Sequence, residues 1–354
     1  MEEVVIVGGG PAGLMAARVL AEEGIPPLVL EKNSGFGQKV CSEVMRETRY
    51  GFPVLPLLGR GVVERKFEEV ELVFHGKTFR LPFWKSHPLR KWIREPSPLL
   101  LMNRERMERN LAKKASAYGA VIQLGKVVKR VERMEEGLLL NGEIEAKLVI
   151  GADGALSLMR KFVGERLRNL GYGINIRVKR RGEEGLKVFV GSEVIPLGDA
   201  WRFAGGRKEN AGIWTAEARY AGILEEKWEA FRRKENLPSL RPRLIPLPSS
   251  PPCRTYFPHL LLAGDAGGLN DPLTGAGIYA ALLTGYLAGL VAAEAVRKRS
   301  FEASFLRRYE MLWRNFMGEE IRRALLLKRL HPFLMRKELV GFLPLLGAVR
   351  GEKK

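Results

Sequence analysis

The chain has 354 residues, 46% of them hydrophobic, enough for one large domain or two closely joined ones around a continuous core,. With only Cys41 and Cys253 it can build neither a disulfide framework nor a four-cysteine zinc or iron–sulfur site, and a reducing, cytoplasmic compartment is expected,. The net charge of +19, from 59 Lys and Arg against 40 Asp and Glu, suits a surface drawn to phosphate groups of lipid headgroups or nucleic acid,. No paired zinc ligands or RNP strand are present, so nucleic acid is not expected as a partner, and the interspersed signs equally fit a thermophile's ion-paired surface.

Met1-Glu2-Glu3 leads directly into the β-branched run Val4-Val5-Ile6-Val7, leaving no basic leader or cleavable apolar segment, so export is not expected,. Pro11 to Glu23 is helix-forming, and Pro27-Leu28-Val29-Leu30-Glu31 reads as a second strand, which completes a βαβ unit,. Between Phe67 and Phe83 two alternating stretches flank His75-Gly76 as an antiparallel hairpin that interrupts the Rossmann order,. Asn103 to Tyr118 reads as a helix ending at Gly119, followed by the strand-like VIQLGKVVKRVE and KLVIGADG,. Tyr172 to Thr215 holds alternating runs that predict an antiparallel sheet,. A helical stretch, the loop IPLPSSPP and the strand HLLLAGD then return the chain to the first sheet, and helices dominate from there on,. Pro272 to Ala293 is uncharged and near the length of a membrane helix, but Gly275, Gly277, Gly285 and Gly289 favour a buried core helix,.

The expected fold class is therefore α/β: a Rossmann-like dinucleotide-binding domain, an α+β second domain with an antiparallel sheet, and C-terminal helices. The first domain is expected to be discontinuous, over 1–66, 100–165 and 253–300. The second takes 67–99 and 166–252, and the helical region takes 301–354. From Phe301 onward Arg and Lys alternate with Leu, Phe and Met at helical spacing, which suits core packing, a cap over a pocket or a membrane-facing surface,.

The hexad Gly8-Gly9-Gly10-Pro11-Ala12-Gly13 follows a strand and opens a helix. Its first glycine permits the turn, Gly10 lets the backbone approach a pyrophosphate, Gly13 lets helix and strand pack, and the helix N-terminus attracts the anion. Glu31, at the end of the next strand, is placed to bind a ribose diol and disfavours a 2′-phosphate, which leaves FAD and NAD both open.

Two later segments separate them. Val149 to Arg160, containing Asp153-Gly154, resembles the Asp-Gly motif of the p-hydroxybenzoate hydroxylase-like flavoprotein superfamily. Ala263-Gly264-Asp265-Ala266, with Pro272 and Gly275-Ala276-Gly277-Ile278, resembles its second flavin motif. The resemblance implies FAD, with Asp265 on the ribityl chain and the following helix aimed at the flavin ring. Within that superfamily the chain is similar to the geranylgeranyl reductase family. Gln38 to Glu43 stands where that family carries a cysteine near flavin and substrate, Arg104 matches an arginine that helps hold FAD, and Asp199-Ala200-Trp201-Arg202-Phe203-Ala204 resembles the Tyr-x-Trp-x-Phe-Pro motif of its substrate pocket. Asp199 and Ala204 depart from that motif.

The resemblance implies cofactor contacts from Gly8, Gly10, Pro11, Ala12, Gly13, Glu31, Lys32, Cys41, Ser42, Arg104, Val128, Asp153, Gly154, Gly264, Asp265, Pro272, Gly275, Gly277 and Ile278. Trp201 and Phe203 would line the substrate slot, and Cys41 would lie near the reacting alkene. Without the flavin motifs, core aromatics of a sheet describe Trp201 and Phe203 better, and a buried small hydrophobe describes Cys41 as well as a catalytic role does. Hydride and proton transfer to an isolated alkene needs a dry, shaped slot, which fits a chain with four histidines (His75, His87, His259, His331) and no metal constellation,. The implied activity is reduction of isoprenoid lipid chains at the cytoplasmic side, with peripheral membrane contact compatible with the basic helices. A flavin monooxygenase or halogenase, and an electron-transfer flavoprotein docking at the membrane, are the alternatives. No second glycine-rich βαβ unit for NAD(P)H is present, so the reductant is either NAD(P)H bound transiently or a ferredoxin-like protein.

Overall fold

The computed structural model describes residues 1–334 apart from Val40, Thr48, 83–96 and Arg241. Phe83 at the end of the second hairpin stretch, His87, and the tail of the 301–354 helical region lie outside the described residues, as does the side chain of His331.

In chain order the first half contains β1 (Glu2–Val7), α1 (Pro11–Glu22), β2 (Leu28–Glu31), β3 (Val44–Arg46), α2 (Leu55–Leu58), β4 (Val63–Phe67), β5 (Glu69–Phe74) and β6 (Lys77–Pro82). Then come β7 (Leu99–Met102), α3 (Arg104–Ala117), β8 (Val121–Leu124), β9 (Val131–Met134), β10 (Gly137–Leu140), β11 (Ile144–Gly151) and α4 (Leu158–Phe162). The second half holds β12 (Leu170–Lys179), β13 (Gly185–Val190), β14 (Gly198–Gly205), β15 (Lys208–Thr215), α5 (Leu224–Lys234) and β16 (Arg243–Pro248). It closes with β17 (Tyr256–Phe257), β18 (Leu260–Leu262), α6 (Ile278–Lys298) and α7 (Ala303–Leu334).

The βαβ unit forms as its pattern predicts, and β8, β2, β1, β11 and β18 run parallel in one sheet. Strands buried on both faces read as continuous apolar runs, and Val4 to Val7 and Leu28 to Leu30 are accordingly buried throughout,. The expected strand VIQLGKVVKRVE breaks in two, because Gly125 takes a positive φ of 72° between β8 and β9. Helices α1, α3, α6 and α7 share the largest apolar cluster with one face of this sheet. Gly285 of α6 makes that packing close, since a Cβ there would stand 2.2 Å from the Ala12 carbonyl oxygen of α1.

The uncharged stretch becomes helical only from Ile278, six residues after Pro272, because Gly275 holds a positive φ and Gly277 caps the helix. By length and composition α6 is the one helix among the described residues able to cross a membrane, but 83% of its apolar window is buried inside the protein. Helix α7 applies Leu306, Tyr309, Trp313, Met317 and Ile321 to the same core at helical spacing,.

The second sheet has the order β16-β12-β15-β14-β13-β5-β6. It is antiparallel as predicted except where β5 joins β13 in parallel, because the predicted hairpin β5–β6 adds as a unit to its edge. Helix α5 covers one face, burying Trp228 and Phe231 against Ile174, Ile176, Ala211 and Ile213. A third sheet of β3, β7 and β4, which no sequence pattern announced, lies against the other face through Leu101 and Leu99.

Candidate functional site

Four turns leave the carboxyl ends of the parallel strands side by side, the usual location of a ligand crevice in an open α/β sheet. The turn after β1 holds Gly8 at φ 108°, and a Cβ there would meet the Ala152 carbonyl oxygen at 2.3 Å. A Cβ on Gly13 would meet the Gly8 oxygen at 1.9 Å, so helix and strand touch only because both residues lack side chains. Gly10 differs: a Cβ there would meet nothing within 4 Å. It caps α1 without a side-chain hydrogen bond, Pro11 occupies the first helical position, and the amides of Ala12 and Gly13 begin the first turn. This is open space in front of a helix N-terminus, suited to a pyrophosphate.

After β2, buried Glu31 accepts hydrogen bonds from the Gly9 amide at 2.5 Å and the Asn33 amide at 2.8 Å, which fixes its carboxylate beside the glycine turn. Lys32 is exposed beside it, and half-buried Val128 packs under the same edge. After β11, Asp153 accepts from the amides of Leu158 at 2.6 Å and Met159 at 3.2 Å through one oxygen. Its other oxygen is buried with no protein partner, and burial pushes its carboxyl up against those hydrogen bonds. Gly154 follows at a φ of 84° with open space around it. Arg160 ties this motif to the next, donating to the Ala155 carbonyl at 2.6 Å and to the Ala266 carbonyl at 2.8 Å.

After β18, Gly264 lies against Ala12, and Asp265 pairs with Lys39. Buried Pro272 accepts from the Ser249 hydroxyl at 3.1 Å, which anchors the loop to Gly277. Gly277 caps α6 with no side-chain hydrogen bond, so the amides from Ile278 onward are open toward Asp265, whose carboxylate a Cβ on Gly277 would approach to 3.4 Å. An uncapped helix start there favours negative charge on a neighbouring ring.

Between β2 and β3 the chain carries Cys41 and Ser42, both half-buried, toward the second sheet. Arg104, at the start of α3 after the Asn103 cap, is buried and donates to Glu108 at 2.8 Å, while the other Glu108 oxygen accepts from the Gly37 amide at 2.5 Å. Burial works against the Arg104 charge, but Glu108 and the Cys41 sulfur outweigh it and hold the guanidinium protonated. From the second sheet, Arg177 donates to the Gly37 and Lys39 carbonyls, and Asn175 and Asn210 donate to the Cys41 carbonyl at 2.9 and 2.6 Å.

The strand face presented to this loop carries Asn210, Gly212 and Trp214 on β15, with Trp201 and Phe203 on β14. Trp201 donates to Asn210 at 3.0 Å and stacks with Phe203 at 6.3 Å, both 7 to 8% exposed. They sit in an apolar cluster with Val70, Leu101, Leu186 and Trp214. The structure thus brings the glycine turn, Glu31, Asp153 and Asp265 together at one sheet edge, and reaches Cys41, Trp201 and Phe203 through Asn210. Lys32 and Val128 stay at the outer edge. Lys39, Asn175, Arg177, Asn210 and Trp214 were missed as site residues. For Trp214 the alternation of Asn210, Gly212 and Trp214 along one strand face was an available signal. Beside the loop, a cavity of 390 Å³ is lined by Glu43, Asn103, Arg177, Lys179, Arg207 and Lys208, among others.

The residues present fit FAD: an open Gly10, a partnerless Asp153 oxygen and two uncapped helix starts converge on one crevice. The profile of the FAD binding domain family matches residues 1–175. A digeranylgeranylglycerophospholipid reductase from Methanocaldococcus jannaschii is 28% identical over 333 residues, 88% of this chain and 82% of that one. A geranylgeranyl bacteriochlorophyll reductase-like protein from Thermoplasma acidophilum shares the fold at a TM-score of 0.81 and 22% identity, over 97% of this chain and 91% of that one. A probable FAD-dependent monooxygenase from Pseudomonas aeruginosa shares it at 0.71 and 17%, over 97% and 99%. With FAD as its cofactor the chain is an FAD-dependent oxidoreductase, similar along most of its length to proteins named as digeranylgeranylglycerophospholipid and geranylgeranyl reductase-like enzymes.

Proposed function

We propose that the protein saturates carbon–carbon double bonds in the geranylgeranyl chains of membrane lipids or their precursors. The observation that carries this reading is the apolar strand face of Trp201, Phe203 and Trp214 beside the second flavin motif, where Gly275 packs on the Trp214 ring. Such a face excludes water and orients an alkene by shape, the main requirements for reducing an unactivated bond. Reduced FAD, when bound, supplies the hydride. The protein's own groups do the rest: the glycine turn, Glu31, Arg104 and Asp153 hold the cofactor, the start of α6 stabilises charge at its ring, and Cys41 lies beside the reacting alkene.

In this reading 1–66, 100–165 and 253–300 form the cofactor domain, 67–99 and 166–252 cover the substrate, and 301–354 forms a helical region. The cavity lined by Arg177, Lys179, Arg207 and Lys208 together with Glu43 and Glu105 holds more cations than acids, which supports an anionic electron donor, either NAD(P)H or an acidic ferredoxin-like protein,. Exposed Leu326, Leu327 and Leu330 beside exposed Arg322, Arg323 and Arg329 on α7 support peripheral contact with the inner membrane face,.

Dithionite-reduced holoenzyme, incubated without oxygen with geranylgeranyl lipids, is expected to give products heavier by two hydrogens per reduced bond in mass spectrometry. Strict dependence on oxygen with an aromatic substrate would instead identify a monooxygenase. Reoxidation by a protein or quinone with no lipid product would identify an electron carrier.

A further inference from the structure

Asp199 stands near the start of β14, on the strand face proposed above to line the substrate slot. Side chains alternate along β14, so Asp199 shares its face with Trp201 and Phe203, while Ala200 packs on the opposite side under α5,. One Asp199 oxygen accepts a hydrogen bond from Trp214 Nε1 at 2.7 Å. The ring of Trp214 lies on Gly275, whose Cβ would stand 3.3 Å from it, and Gly275 belongs to the loop that turns into α6. Asp199 therefore links the apolar slot to the end of the crevice where the flavin ring is expected.

Its surroundings are those of an acid kept neutral. Asp199 is half-buried and takes part in no ion pair among the described residues. Its ladder partner on β13 is Val190, and on β15 it is Trp214 itself. The charged groups beyond the end of β15, Glu217 and Lys328 of α7, are paired with each other at 3.1 Å. Burial pushes the Asp199 carboxyl up to about 7, against the lowering effect of the Trp214 hydrogen bond. An acid in that range is still substantially protonated at neutral pH and gives up its proton readily.

We propose that Asp199 is the proton donor of the reduction. The inference rests on the reductase reading above. The π pair of the alkene forms a C–H bond with the Asp199 proton at one carbon, and the other carbon receives the hydride of the reduced flavin. The alkene gains two electrons and two hydrogens, the flavin is oxidised by two electrons, and the carboxylate left behind regains its proton from water. Positive charge develops at the more substituted carbon, where the faces of Trp201 and Trp214 stabilise it. The Trp214 N–H holds the carboxylate until it is reprotonated.

The test compares the FAD-loaded full chain with Asp199→Asn and Asp199→Glu. Infrared difference spectra taken from about pH 5 to about pH 9 are expected to show a protonated-carboxyl stretch that titrates near neutrality in the wild type and is missing from Asp199→Asn. With geranylgeranyl lipid, Asp199→Asn is expected to lose about a hundredfold or more in kcat with lipid affinity and dithionite reduction of the flavin unchanged. Asp199→Glu is expected to recover part of that loss, and the alkaline limb of the wild-type pH profile is expected to vanish in Asp199→Asn. Full turnover in Asp199→Asn with an unchanged pH profile overturns the assignment while leaving the reductase reading intact. So does the absence of any titrating carboxyl band. A wild-type enzyme that saturates no lipid overturns both.

Discussion

Asn210 holds Cys41 in place from the opposite sheet: its Nδ2 donates to the Cys41 carbonyl at 2.6 Å while its Oδ1 accepts from Trp201 Nε1 at 3.0 Å. One amide therefore sets the spacing between the cysteine loop and the aromatic face. Truncation to alanine leaves the buried Trp201 N–H without its partner and removes one of two donors to the Cys41 carbonyl, a loss of about 2 kcal/mol. Asn175→Ala is expected to cost less, because Asn210 then still serves both that carbonyl and the Trp201 N–H. Urea denaturation of both variants measures the difference, and equal midpoints would contradict this ranking.

Gly10 and Gly13 stand three residues apart yet answer to different constraints. A Trp side chain at Gly10 enters open space, with φ at −82° posing no obstacle, so the fold is expected to survive while the pyrophosphate seat is filled. Gly10→Trp is thus expected to purify folded and colourless, with circular dichroism close to wild type. Gly13→Ala drives a methyl into the Gly8 carbonyl at the strand–helix contact, which strains the backbone and costs about 1–3 kcal/mol before any effect on the cofactor,. Normal FAD binding by Gly10→Trp would refute the placement of the cofactor.

What was legible in the sequence was chemistry confined to short spacings. The glycine turn, Glu31 and the Asp153 and Asp265 motifs each follow a strand by a few residues, so local pattern and turn chemistry suffice to place them. Contacts between distant segments left no such trace. The Lys39–Asp265 pair, the Asn175–Asn210–Cys41 cluster and the parallel addition of β5 to β13 arise only when segments far apart in the chain meet. The sheet of β3, β4 and β7 is built from segments of three to five residues, too short for alternation to declare itself,. The start of α6 was misplaced because an uncharged stretch was read as one helix, although Gly275 and Gly277 inside it carried the signal for a loop and a cap.

Arg49 joins the loop before α6 to the outer helix, bonding Asp271 at 2.9 Å and Glu320 of α7 at 3.2 Å over the ring of Tyr50. Its removal leaves the two carboxylates in a largely buried place with Arg46 as the remaining cation between them. Arg49→Ala is expected to lower stability by about 2–3 kcal/mol, somewhat below a fully buried pair because Glu320 is partly solvated. Lysine is a poor replacement, since one ammonium lacks the planar fork that serves both acids. Thermal melts of the two variants, together with FAD retention, check this. Recovery by Arg49→Lys to the wild-type melting temperature would exclude the forked geometry as the cause.

The raised Asp199 carboxyl also leaves a mark on stability that needs no substrate. Its folded-state value of about 7 lies above the ordinary carboxyl range, so the folded chain binds this proton more tightly than the unfolded chain,. The stabilising contribution of the neutral acid is complete below the unfolded value near 4 and disappears as pH rises through 7. Asn cannot ionise, so Asp199→Asn escapes the loss. At about pH 5 the two proteins are expected to melt within a degree or two of each other, whereas at about pH 9 the variant is expected to be the more stable by roughly 2 kcal/mol. The opposite trend, with Asp199→Asn falling behind as the pH rises, would mean that the carboxylate is the favoured form in the folded protein, held by a cation that the Asp199–Trp214 geometry does not contain.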